Sequence, residues 1–294
     1  MAEVNWPELP YEAWKDTLDT LHMKLQIVGK LRVALSPAEP EWAHVALYVT
    51  SRGLTTGPLS SGGLIFGVDV DLVAHEVSIS TAAGETRRVA LTARPVAAFY
   101  EEFMGKLEAL RISAKFRPVP DEVSDPIPFA DDTVHSAYDP ERANRFFHVL
   151  GQSDLVLKDH RSRFRGRSSP VHFFWGSFDL AYTRYSGRPA DAPPGAGLIA
   201  RRSEDAEQVC VGFWPGSAVF PKAAFYSYTY PKPAGIEEAE AGWDPNLGEF
   251  ALAYDDVRKA ASPREAILRF CESTYDAGAR LSGWDPGLVV ERSR

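Results

Sequence analysis

The densest group of side chains able to do chemistry lies in S-P-V-H-F-F-W-G-S-F-D-L-A-Y-T-R-Y-S-G-R, residues 169–188. His172 can give or take a proton near neutral pH. Asp179 can partner it or act as acid or base, and Arg184 can hold an anion. Side chains of a strand alternate between faces. His172, Phe174, Phe178, Leu180, Tyr182 and Arg184 then share one face, and Phe173, Trp175, Ser177, Asp179 and Thr183 the other. Both faces are apolar in their first half, as expected of a central strand covered on both sides. The run exceeds the usual strand of about 5–6 residues, so Gly176 predicts a bulge that re-aims His172 relative to Asp179. His172 has two readings: an acid, base or ligand at the lip of an aromatic cavity, or a core histidine bonded to backbone. A covered Asp179 requires a partner, Arg184 or an arginine of the 161–167 run.

The elements that must position these groups are read from periodicity. Tyr11, Trp14, Leu18, Leu21, Leu25 and Val28 make one helical stripe, with His22 at its rim. Alternation predicts strands at 30–37, 44–53, 64–72, 76–81, 86–91, 208–214, 224–230 and 249–254, with residues 54–63 as a polar loop. Asp69 and Asp71 read as the wet face of an antiparallel sheet, with a divalent-ion pair as the other reading. Helices are expected over 94–110, from Asp139-Pro140 onward, and after the capping box Ser262-Pro263-Arg264-Glu265. Residues 117–133 hold four prolines and five acidic residues, which predicts an extended connection.

Strand runs without interposed helices indicate an α+β fold, antiparallel curved sheet packed on helices. The expected organisation is an N-terminal half (1–118), a connection (119–139) and a C-terminal half (140–294), together one compact unit. Each half reads helix, strands, helix. Tyr48 and Gly53 match Tyr182 and Gly187 at one offset, which raises the reading of an old duplication.

Composition narrows the partners. The chain has 294 residues, 45% hydrophobic and 12% aromatic, with a formal charge of -8. That charge argues against nucleic acid, whose affinity rests on clustered Lys and Arg. No run is apolar enough to cross a membrane. M-A-E-V-N-W-P-E-L-P shows no signal peptide and the two cysteines form no disulfide framework, so a cytoplasmic setting is expected. No G-x-S-x-G, G-x-G-x-x-G, Walker-A or H-E-x-x-H pattern occurs. No cofactor is implied, and the oligomeric state is not legible.

Several stretches together resemble one bacterial family. They are W-P-E-L-P (6–10), T-L-H-M (20–23), Q-I-V-G-K (26–30), L-Y-V-T-S-R-G-L-T-T (47–56), D-P-I-P-F (125–129), Y-D-P-E-R-A-N-R-F (138–146), S-P-V-H-F-F-W-G-S-F-D-L-A (169–181) and G-F-W-P-G (212–216). The family is the domain-of-unknown-function family 5996. The resemblance implies a full-length member and brings no activity with it. It draws attention to His22, Gln26, Lys30, Arg52, His135, His172, Asp179, Thr183 and Arg184.

The leading functional expectation is a pocket that binds or turns over an aromatic or apolar small molecule carrying an anionic group. His172, His22 and Asp179 are the candidate catalytic groups. Lys30, Arg52 and Arg184 would hold the anion, and Trp175, Tyr182 and Trp214 the rings. One alternative is a metal-dependent hydrolase drawing on His22, His44, His135 and His172 with Asp69 or Asp179, although no metal-ligand spacing is present. The other is an interaction module whose rings simply pack.

Overall fold

The computed structural model describes residues 6–290. The first five residues of the N-terminal decapeptide, on which the expectation about a signal peptide partly rests, lie outside them. The fold is built on one helix, α1 (Tyr11–Leu35), buried at almost every position from Leu18 to Leu31. That burial explains why its pattern is only partly amphipathic: apolar surroundings cover most of its circumference. The predicted strand at 30–37 is instead the last turns of α1. Its alternation marks no buried face, since Val33 is exposed, and nothing breaks the helix before Pro37 drives Ser36 into extended backbone.

A 3-10 turn (Pro40–Val45) leads to an antiparallel meander: β1 (Tyr48–Val49), β2 (Gly53–Ser61), β3 (Leu64–Asp71), β4 (Glu76–Thr81) and β5 (Thr86–Ala90). The strand expected at 44–53 is therefore mostly turn. The loop expected at 54–63 is mostly β2. Its glycine and proline sit at a bulge between Thr55 and Pro58, where the Thr56 hydroxyl accepts the Val68 N–H. Asp69 faces water, and Asp71 pairs with Arg52. α2 (Val96–Ala109) follows, then a long stretch without helix or strand, then α3 (Pro140–Arg161), capped by the Asp139 carboxylate on the N–H groups of Glu141 and Arg142.

The second sheet holds β6 (His172–Phe174), β7 (Asp179–Pro189), β8 (Ala206–Trp214), β9 (Ala224–Tyr230), β10 (Trp243–Asp244) and β11 (Glu249–Ala253). The short α4 (Leu198–Ser203) lies between β7 and β8. Strand order is β10-β11-β9-β8-β7-β6, with each neighbouring pair antiparallel. α5 (Tyr254–Lys259) and α6 (Pro263–Leu281) follow, α6 starting at the predicted Ser262 cap, and a 3-10 turn (Pro286–Leu288) comes after them. The two sheets touch edge to edge, where Leu47 and Phe173 exchange two backbone hydrogen bonds of 2.9 Å. The architecture is α+β with antiparallel sheets on helices. Tyr182 and Gly187 fall within one strand, whereas Tyr48 and Gly53 flank a turn, so the shared offset does not place them on matching elements.

One face of the second sheet carries Leu180, Val211, Phe213 and Phe225 into the core against α3, α5 and α6. The other face is left to build a cavity.

Candidate functional site

The aromatic stretch is a hairpin, not one bulged strand. Trp175–Phe178 turn the chain back, pairing His172 with Ala181 and Phe174 with Asp179. Phe178 takes the left-handed backbone the turn requires (φ 60), and its buried ring packs on Phe146, Phe173 and His22 at 4.8–5.4 Å. The reversal has a consequence for the site. It brings His172 and Phe174 onto the face of Asp179, Ala181, Thr183 and Tyr185, and leaves Tyr182 and Arg184 on the helix side.

Register carries that face across the sheet. Gln208, Cys210 and Trp214 continue it on β8, Tyr226 and Tyr228 on β9, and Glu249 on β11. Over it lies a cavity of about 1530 Å³. Its other walls come from α1, the 3-10 turn, residues 121–124, α4 and the 216–219 loop.

Gly212 sits in the middle of the floor, where a strand interior normally carries a side chain. The Tyr226 ring occupies that space, and a Cβ on Gly212 would lie 2.5 Å from the ring. Lying across β8, Tyr226 donates its hydroxyl to Asp179 two strands away, and Ser177 donates to the other carboxylate oxygen. Burial pushes the Asp179 carboxyl up, and these hydroxyls partly oppose it. Burial, helped by the charge of Asp179, pushes Glu249 up to about 7. Glu122, at the rim beside Gly176, is likewise raised by desolvation and then by Asp179 and Asp121.

A polar ridge on α1 sets the rim. His22, Gln26 and Lys30, four residues apart, share one helix face. The His22 Nε2–H donates to Gly176 O at 3.0 Å, which ties α1 to the hairpin turn. Gln26 pairs with both backbone groups of Asp121, donating to its carbonyl (2.8 Å) and accepting its N–H (3.1 Å). Lys30 meets the Asp121 carboxylate at 2.5 Å. Burial lowers His22 to about 4, so its imidazole is neutral. His22 and Lys30 thus hold the walls together, and Lys30 is not available to an anionic ligand.

His172 differs from both. Its side chain is 1% exposed, neither ring nitrogen has a hydrogen-bond partner, and it forms part of the cavity wall between the rings of Tyr48 and Phe174. Burial, with Arg32 and Arg161 nearby, lowers it to about 4. It is a neutral imidazole with unused hydrogen-bonding capacity.

The remaining predicted residues fall in separate places. Trp214 lines the cavity, stacked on Phe220. Trp175 lines it too, but its indole N–H donates to Val45 O (2.8 Å) and its ring packs on Gly29 of α1. Arg52 is 57% exposed and bound to Asp71 at 2.5 Å, away from the cavity. Tyr182 and Arg184 are buried beneath the sheet, bonded to the Nδ1 and carbonyl of His160. Arg184 packs between Phe164 and Tyr275 at 5.0 and 4.6 Å. Asp179 is therefore satisfied by hydroxyls rather than by Arg184 or the 161–167 arginines. Among the described residues no group of three His, Cys, Asp or Glu is placed to hold a metal ion. His44, for instance, accepts the Glu39 N–H and stacks on Trp42.

Glu249, Tyr226 and Gly212 were not singled out as site residues from sequence, and His135 was named without its partner Asp132. A lone glycine in V-C-V-G-F-W was the available signal, since it marks a close approach. The Asp132 carboxylate is fully buried and bonded to His135 Nδ1 at 2.8 Å, and the imidazole reaches the cavity wall.

The model of a family of unknown function, DUF5996, matches residues 6–290. The chain belongs to that family. No curated protein and no solved structure matches it. Among the described residues no helix is long and apolar enough to cross a membrane.

Proposed function

We propose that the chain binds a small, largely apolar organic molecule in the cavity on the open face of the second sheet. The observation that carries this reading is His172, a buried imidazole in the cavity wall with both nitrogens unpartnered. Leaving such a group unsatisfied costs about 1–3 kcal/mol, a cost that a polar atom of a ligand would offset. Rings of Phe174, Trp214, Tyr226 and Tyr228 supply flat apolar contact, as small-molecule sites use. The test is fluorescence titration with naphthylmethanol, on wild type and on Ala181→Phe, which fills the floor beside His172. Saturable binding that the folded variant loses supports the reading, and binding that survives in it contradicts the reading.

A second reading, catalysis, is favoured by the Asp132–His135 pair. A buried carboxylate on Nδ1 fixes the tautomer and leaves Nε2 free to accept a proton. Ester or amide turnover by the wild type that His135→Asn abolishes, with probe binding unchanged, would establish it.

A further inference from the structure

The cavity wall is chemically one-sided. Its charged residues are carboxylates: Asp19, Glu41, Asp121, Glu122, Asp179, Glu204 and Glu249, and neither Lys nor Arg lines it. Two of these acids are already neutralised, Asp121 by Lys30 and Glu41 by Arg167. Asp179, Glu122 and Glu249 make no ion pair among the described residues, and Asp179 is bonded only to the neutral Ser177 and Tyr226 side chains. Asp179 and Glu249 share one face of the sheet with Trp214, Tyr226 and Tyr228, on four adjacent strands. A floor of carboxylates among aromatic faces suits a cation that is itself partly apolar. The ring quadrupoles attract its positive charge and the carboxylates accept its N–H groups. A bare divalent ion is not the fit, because no three ligating side chains converge among the described residues. The unpartnered nitrogens of His172, in the same wall, are an independent sign that the cavity awaits a polar group.

We infer that the occupant is an organic ammonium, an amine or quaternary ammonium borne on an apolar or aromatic body, held between Asp179 and Glu249 with its body against Trp214 and Tyr228. This rests on the small-molecule reading above and replaces the anionic group expected from sequence. Arg52 and Arg184 lie outside the cavity and Lys30 is spent on Asp121.

The experiment compares naphthylmethylamine, naphthylmethanol and naphthoate, one ring system with three charges, by fluorescence titration at low salt and pH 8, above the value of about 7 at which Glu249 releases its proton. The amine is expected to bind at least about tenfold more tightly than the alcohol, as a charge-assisted bond and a ring–cation contact together provide. Naphthoate is expected to bind most weakly. Glu249→Gln, which keeps the shape, should shrink the amine-to-alcohol ratio severalfold. Asp179→Asn serves as the second variant and should do the same. Equal affinity for amine and alcohol, or tighter naphthoate, overturns the cation assignment and leaves the cavity reading standing. An unchanged ratio in both variants overturns it too. Failure of all three probes to bind overturns both.

Discussion

Glu249 offers a prediction whose size can be worked from the structure. Burial and the Asp179 charge move its carboxyl from 4.5 to about 7. Between those values the folded chain keeps a proton that the unfolded chain has released. Stability contributed by this group is therefore fully present below about pH 4.5 and lost as pH rises through about 7. At 1.36 kcal/mol per pH unit of displacement, the loss is at most about 3 kcal/mol. Partial exposure of the side chain and solvent screening reduce it to about 1–3 kcal/mol. Glu249→Gln carries no titrating group and should not show the loss. Urea unfolding of both proteins from pH 4 to 8 measures it. The variant should gain on wild type steadily across the window, by about 1–3 kcal/mol at pH 8. A difference between the two that stays constant with pH would refute the reasoning.

Two further variants separate packing from binding. A Cβ at Gly29 would lie 2.3 Å from the Trp175 ring, which Val45 O holds in place. Gly29→Ala should therefore lower stability by about 1–3 kcal/mol through overpacking, seen as a lower urea midpoint. A glycine that were only a helix defect would give the opposite sign, a gain of about 1 kcal/mol. Arg184→Met alters a guanidinium beneath the sheet, so naphthylmethylamine affinity should stay unchanged whatever happens to the melting temperature. An affinity loss at unchanged stability would place Arg184 in the site after all.

Much of the scaffold was legible because its signals are local. The Asp139-Pro140 and Ser262-Pro263 helix starts satisfy their own orphan N–H groups. The alternating strands β3, β4, β5 and β9 each have one buried face, and β8 is buried on both. The C-terminal end of α1 and most of β2 were misread for opposite reasons. K-L-R-V-A-L alternates although it is helical, and the alternation marks no buried face, since Val33 is exposed. L-T-T-G-P-L-S-S looks like a loop although it is strand, because a bulge absorbs Gly57 and Pro58. The site was harder. Alternation assigns faces only while the strand keeps its direction, and the Gly176-Ser177 pair that reverses it, flanked by aromatic residues, reads equally as a bulge in one long strand. Reading one strand put Arg184 and Tyr182 on the face of His172 and suggested an anionic ligand. The turn at Trp175–Phe178 exchanges them for Asp179, Ala181 and Thr183. Tertiary pairs such as Tyr226 with Asp179, or Gln26 with the Asp121 backbone, span 47 and 95 residues and leave no local pattern.

The account rests on a ligand seated against His172, and the imidazole itself is the most direct reporter. Histidine-labelled protein, with the His172 signals assigned through His172→Gln, can be titrated with naphthylmethylamine and followed by NMR. The account predicts that the His172 ring signals move and saturate with the affinity given by fluorescence. Saturable binding that leaves the His172 signals in place, or no binding at all, would contradict it.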